Sequence, residues 1–147
     1  MTLRELNQVV ISVGSNINPA PNIEISKDYL SKETEFIYAA TAIETAPVGY
    51  LEQSNFLNTA FLVATPLSYE EFNLHLKSIE DRMGRERGPI KAGPRTIDLD
   101  IVIWNGCLLT DDYYSYDYVS IPVNQVIKTK NLTTNIASKP GFLQIDE

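Results

Sequence analysis

Apolar and polar positions alternate in short, punctuated runs along this chain. Residues 8–13 are rich in β-branched side chains and stop at Gly14-Ser15-Asn16, which predicts a strand followed by a turn. Pro19 and Pro21 mark the entry to a helix over roughly 22–30. Residues 36–45 predict a second strand, closed into a loop by Pro47-Val48-Gly49, and residues 56–64 a third strand whose strongly polar positions are Asn58 and Thr59. Ser68-Tyr69-Glu70-Glu71 is a capping box, and Phe72, Leu76, Ile79 and Met83 follow at helical spacing up to a stop at Gly84. Residues 96–104 form the next strand, and Asn105-Gly106 is a hairpin signal that sends residues 107–109 back antiparallel. Beyond Thr110 the chain turns tyrosine-rich, Pro122 opens a short helix over 122–127, and the last twenty residues are weakly patterned.

This order is βαββαβ, an α+β fold of the ferredoxin-like class, with a mainly antiparallel sheet and helices packed on one face. The length of 147 residues suits one domain over 1–147 with a single core. The lone Cys107 cannot form an internal bridge, and no charged-then-apolar leader opens the chain, so the expected setting is cytoplasmic. No apolar run approaches the roughly 20 residues a membrane helix needs, so no membrane partner is expected.

The most informative stretch is Gly93-Pro94-Arg95-Thr96-Ile97-Asp98-Leu99-Asp100. Side chains alternate along a strand, so Asp98 and Asp100 share a face with Cα atoms about 6.5–7 Å apart, and Leu99, Ile101 and Ile103 take the other. Two acids so placed either bracket a hard cation such as Mg²⁺ or divide between a salt bridge to Arg95 and solvent. No His or Cys cluster suggests zinc.

Net charge sharpens this reading. The chain carries −7 overall, yet Arg82, Arg85, Arg87, Lys91 and Arg95 fall within fourteen residues opposed only by Glu86, so that window is +4 and the remainder −11. Cations for oxyanions beside carboxylates for a metal are the chemistry of a nucleotide-phosphate site, whereas a solvated charged loop is the plain alternative. Arg85 and Arg95 flank a stretch containing Gly84, Gly88, Pro89 and Gly93, a composition suited to a closing loop. Arginine pairs with phosphate oxygens bidentately and neutralises charge on a transferred phosphoryl group. Asn58, if buried, needs partners, either structural ones or a heterocycle with donors and acceptors, and Phe56 beside it either joins the core or stacks on a flat ligand. His75 is expected at the surface or half-buried, and Cys107 has no activating neighbour. The chain has no Gly-rich Lys-Ser/Thr phosphate loop and no dinucleotide fingerprint, and its acidity argues against a nucleic-acid partner.

Taken together, Val13-Gly14-Ser15-Asn16, Glu44-Thr45-Ala46-Pro47-Val48-Gly49, Asn55-Phe56-Leu57-Asn58, Ile79-Glu80 with Gly84-Arg85, and the 93–100 block resemble the 6-hydroxymethyl-7,8-dihydropterin pyrophosphokinase family of folate biosynthesis, in order and nearly in spacing from residue 8 to about 109. The resemblance implies a ferredoxin-like transferase that moves the β,γ-pyrophosphoryl unit of ATP to the hydroxymethyl oxygen of a reduced pterin and releases AMP. It implies two Mg²⁺ ions on Asp98 and Asp100, with Arg85 and Arg95 clamping the moving group. It places Thr45, Val48, Phe56, Asn58 and Tyr118 around the pterin, and Glu80, Arg87 and Ile101 on the ATP side. Small-molecule substrates and a monomer or weak homo-oligomer go with it.

Two departures stand out. Ala92, preceded by Lys91, occupies the position where the family usually has a lid aromatic. After the hairpin the family has a His-Pro pair and an arginine that meet the nucleotide phosphates, whereas residues 110–123 contain no His, Lys or Arg and add Asp111, Asp112 and Asp117. Each exposed acid repels ATP by only tenths to about 1 kcal/mol after screening. A catalytically weak or inactive paralogue that binds a pterin or nucleotide in a regulatory role is therefore the alternative to an enzyme, with Arg87 and Lys91 as candidate replacements for the missing cations.

Overall fold

The computed structural model describes residues 5–89 and 93–136. Lys91, Ala92 and the tail beyond residue 136 lie outside the described residues. The chain runs β1 (Asn7–Ser15), α1 (Pro19–Glu33), β2 (Glu35–Ala39), β3 (Ile43–Thr45), β4 (Phe56–Thr65), α2 (Tyr69–Arg82), β5 (Asp98–Trp104), β6 (Cys107–Leu108), α3 (Asp112–Ser115) and α4 (Asp117–Thr129). The strands form one sheet in the order β2-β4-β1-β5-β6, with β3 also pairing β4, and every pairing is antiparallel. This is the expected α+β βαββαβ arrangement.

The period-2 alternation of β1 divides the core. Val9, Ile11 and Val13 face α1 and α2, where Ile23, Leu30, Phe72, Leu76 and Ile79 are buried on them. Fully burying one such side chain is worth about 1.5–3 kcal/mol. Val10 faces the other way, onto Ala60, Leu62 and the α4 stripe Val119, Val123 and Val126. Helices thus cover both faces of the sheet, not one.

That difference traces to α4. Pro122 does not open the helix; it sits inside it, buried. A proline there cannot donate to the Tyr118 carbonyl. The apolar stripe Val119, Val123, Val126 packed on the sheet holds the helix despite the loss. Its first turn is instead Asp117-Tyr118-Val119, and the amides of Val119 and Ser120 both donate to the Tyr116 carbonyl.

Three other boundaries move. The helix expected over 22–30 begins at Pro19, because prolines in a first turn give up amides that have no helical partner. The strand expected over 36–45 is two pieces, with a register shift between Phe36 and Tyr38 and a break at residues 40–42, across which Ala40 stays stitched to Ala60 and Thr59. In β5 the register against β1 slips between Val10 and Ile11, so Val102 is the extra residue of a bulge. Leu99 and Ile101 pack on the α1–α2 side as alternation requires, but the bulge carries Ile103 to the α4 side, against expectation. The capping box forms as read: Glu71 N–H donates to Ser68 Oγ (3.2 Å) and Ser68 N–H to Glu71 Oε1 (3.0 Å). No helix among the described residues is long and apolar enough to cross a membrane.

Candidate active site

Asp98 and Asp100 lie opposite Gly14 and Ser12 of β1, and all four line a cavity of about 610 Å³, within the usual size of small-molecule sites. Because β6 pairs only with Ile103 and Trp104, the stretch of β5 bearing the acids keeps an open edge, around which the cavity reaches α2. The outward amide of Leu99 on that edge donates to Glu80 Oε2 (2.7 Å), whose carboxylate is fully buried. A buried carboxylate needs charged partners. Glu80 Oε1 has them in Arg85 Nη1 (2.9 Å) and Arg87 Nη2 (2.6 Å).

Asp98 is bracketed by two guanidiniums, Arg85 Nη1 at 3.0 Å from Oδ1 and Arg95 Nη1 at 3.2 Å from Oδ2. Arg85 Nη1 also donates to the Ile97 carbonyl (3.3 Å), so this one nitrogen is held among buried Glu80, Asp98 and the strand entrance. The Arg95 backbone is set from β1: its N–H donates to Asn16 Oδ1 (2.8 Å), and its carbonyl accepts from Asn16 N–H (3.1 Å). The same Asn16 amide donates to Gln53 Oε1 and the Ser54 carbonyl, tying the loop before β4 to the loop before β5.

Asp100 has a different setting. Its side chain is 57% exposed and lines the cavity, and its charged neighbour within 4 Å is Lys77 Nζ, 3.5 Å from Oδ1. Enclosure by the cavity walls, then the charge of Asp98, pushes its carboxyl up from 3.8 to about 6, with Lys77 pulling the other way and Glu80 adding to the rise.

A second half of the cavity lies where β3 meets β4. Thr45 pairs with Phe56, and Asn58 Nδ2 donates to Thr45 Oγ1 (2.6 Å). Gly14 leaves room beside them: a Cβ there would stand 3.0 Å from Asn58 Oδ1, so that amide would have to give by a few tenths of an ångström. Val48 and Tyr118 also line the cavity, and Tyr118 stacks on Tyr116 with ring centroids 5.1 Å apart and planes at 27°. Burial, then the nearby Asp112, raises the Tyr118 phenol above its ordinary value, so it stays neutral at working pH.

Of the residues singled out from the sequence, Arg85, Arg95, Asp98, Asp100, Thr45, Val48, Phe56, Asn58, Ile101 and Tyr118 line one cavity. Glu80 and Arg87 do not. Glu80 is sealed behind the wall, and Arg87 is bound to Asp81 Oδ1 (2.7 Å) and Glu80. Arg82, counted with the cationic window, turns away to chelate Glu33 on α1 through Nη1 (2.8 Å) and Nη2 (2.7 Å). Sequence reading missed Ser12, Tyr69, Asn73, Lys77 and Tyr116 in the lining, whereas Asp112, noted as an added acid facing the nucleotide, is there. The α2 members follow one stripe, Tyr69, Asn73 and Lys77, and that 4-residue spacing was the available signal.

No group of three or more His, Cys, Asp or Glu side chains placed to hold a metal occurs among the described residues. Asp98 and Asp100 form a pair rather than a cage. That donor set suits Mg²⁺, which keeps water and takes its remaining ligands from phosphates, better than Ca²⁺ or Zn²⁺.

Comparison with known proteins agrees with this geometry. A family profile described as 7,8-dihydro-6-hydroxymethylpterin-pyrophosphokinase matches residues 10–136. The chain is 34% identical over 107 residues to the 2-amino-4-hydroxy-6-hydroxymethyldihydropteridine pyrophosphokinase of Helicobacter pylori, covering 70% of this chain and 66% of that protein. It is 39% identical over 145 residues to a mitochondrial folate synthesis bifunctional protein of Pisum sativum, covering 92% of this chain and 28% of that one. It is 32% identical over 148 aligned residues to a folic acid synthesis protein of Dictyostelium discoideum, covering 88% of this chain and 22% of that one. The chain thus spans between about a fifth and two thirds of the length of these relatives. With the profile covering most of its length and the motif acids, arginines and Asn58 gathered around one cavity, the chain belongs to the 7,8-dihydro-6-hydroxymethylpterin-pyrophosphokinase family.

Proposed function

We propose that this protein transfers the β,γ-pyrophosphoryl group of ATP to the hydroxymethyl oxygen of a 6-hydroxymethyl-7,8-dihydropterin, giving the pterin diphosphate and AMP. The observation that carries the reading is the convergence of Asp98, Asp100, Arg85 and Arg95 in one cavity that is also lined by Asn58, Thr45 and the stacked rings of Tyr116 and Tyr118. In the step, the hydroxymethyl oxygen forms a bond to the β-phosphorus while the bond from that phosphorus to the α,β-bridging oxygen breaks. AMP leaves with the electron pair, and the hydroxyl proton passes to solvent.

The chain's own residues act by positioning and charge neutralisation. Asn58 and Thr45 supply amide and hydroxyl groups to the edge of the heterocycle, and Phe56 and Tyr118 supply flat apolar surface. Arg85 and Arg95, already oriented by Glu80, Ile97 and Asn16, offer guanidinium forks to the migrating group. Asp98 and Asp100 would hold Mg²⁺, which when bound neutralises the polyphosphate and polarises its oxygens. Glu80 is a positioning residue: it reaches the chemistry through Arg85 and the β5 backbone.

One observation favours a second reading, a ligand-binding paralogue without catalysis. Asp112 and Thr110 line the rim opposite α2, in a stretch with no basic residue. Incubating the protein with Mg-ATP and the reduced hydroxymethylpterin separates the two. The transfer reading predicts one AMP per pterin consumed and at least a ~10³-fold loss in Asp98→Ala, the scale of lost charge stabilisation in a transition state. Tight pterin binding with no AMP would establish the second reading instead.

A further inference from the structure

Lys77 belongs to none of the motifs that place the chain in its family, yet it projects from α2 into the cavity beside Asp100. Its ammonium stands 3.5 Å from Asp100 Oδ1 and 3.7 Å from Glu80 Oε2. Both contacts are longer than a well-made charged hydrogen bond, and the side chain is 38% exposed. The other cations among the described lining residues are held more closely: Arg85 at 2.9 Å and 3.0 Å from Glu80 and Asp98, and Arg95 at 3.2 Å from Asp98. Glu80 would lose little if Lys77 moved, because Arg85, Arg87 and the Leu99 amide still satisfy it. Asp100, by contrast, would be left without its cation. Across the cavity, residues 110–118 carry no Lys, Arg or His and contribute Asp112 to the lining.

We propose that Lys77 is an exchangeable counter-cation, paired with Asp100 while no divalent ion is bound and turning to the nucleotide polyphosphate when a divalent ion takes Asp100. The proposal rests on the pyrophosphoryl-transfer reading for the identity of the anion. Lysine suits such an exchange, because its compact charge on a flexible four-carbon stem carries three donors that can be re-aimed without moving the helix. The exchange would supply, from α2, positive charge that the acidic rim does not.

The proposal predicts two changes of opposite sign in one variant. In Lys77→Met, Mn²⁺ alone, titrated by electron paramagnetic resonance without nucleotide, binds at least about threefold more tightly, because no tethered ammonium competes for Asp100. The same variant binds the Mg²⁺ complex of α,β-methylene-ATP about tenfold more weakly by calorimetry, for loss of one charge-assisted phosphate contact. Lys77→Arg restores the nucleotide affinity to within about threefold, since the charge is kept. Lys77→Gln repeats the test with a polar, helix-compatible side chain, and pterin affinity is unchanged throughout.

A purely structural lysine would move neither affinity, or would weaken both together, and either outcome overturns the proposal. If the unaltered protein forms AMP while Lys77→Met and Lys77→Gln bind metal and nucleotide normally, only the exchange fails. If the unaltered protein does not bind the nucleotide complex at all, the exchange and the transfer reading fail together.

Discussion

Asp98 and Asp100 are two residues apart on one strand face and have different chemistry. Asp98 is pinned between Arg85 and Arg95, whereas Asp100 faces the cavity with Lys77 beside it and a carboxyl raised to about 6 by enclosure and by Asp98. A carboxyl raised in the fold holds its proton there at pH values where the unfolded chain has released it. Its favourable contribution to stability is therefore complete below 3.8 and is lost as pH rises through about 6. Divalent binding has the opposite sense, since the ion competes with that proton. Mn²⁺ affinity is expected to fall as pH drops from 7.5 to 5, and Asp100→Asn is expected to bind weakly with a flat profile. A wild-type affinity constant across that interval would mean that Asp100 ionises like an exposed aspartate.

At the scale of elements, α1 and α2 are joined on the α1–α2 side of the sheet by one acid. Glu33 accepts from both Arg82 terminal nitrogens and lies 2.6 Å from His75 Nε2, and chiefly through Arg82 its carboxyl is held down from 4.5 to about 2. This contribution is present above 4.5 and is lost as pH falls towards 2, the reverse of Asp100. Glu33→Gln should therefore cost roughly 1 kcal/mol at pH 7, as for a partly exposed ion-pair network, and close to nothing near pH 2. Urea titrations at the two pH values check this, and equal costs at both would contradict it.

Elements were legible in the sequence where the code is local. The capping box at Ser68, the hairpin at Asn105-Gly106 and the shared face of Asp98 and Asp100 each depend on residues a few positions apart. The β5 bulge, the helix on the second face and the fate of Arg82 were not legible. Each is decided by a partner far along the chain: β1 for Val102, the sheet for the Val119–Val126 stripe, α1 for Arg82. The same limit hid Lys77, whose contact with Asp100 arises only because α2 packs along the open edge of β5. Glu80 was found for its motif, but its burial behind Arg85 could only come from the packing of α2 on β5.

Across the whole molecule, the cationic window read from the sequence is dispersed by folding. Arg82 goes to α1, Arg87 to Asp81 and Glu80, and Arg85 and Arg95 to Asp98. Among the described residues, what lines the cavity is an even count, Lys77, Arg85 and Arg95 against Asp98, Asp100 and Asp112, in a chain of net charge −7. On the proposed transfer reading such a site would need bound divalent ions to accept a polyphosphate, so nucleotide binding is expected to vanish on chelation with EDTA while pterin binding beside Asn58 persists.

Pyrophosphoryl transfer differs from every other kinase reaction in which bond of ATP is broken. Phosphorus-31 NMR of the protein with Mg-ATP and the reduced hydroxymethylpterin should show AMP and a new diphosphate ester growing in equal amounts, with no ADP. ADP with a pterin monophosphate, or ATP untouched while both substrates are bound, would contradict it.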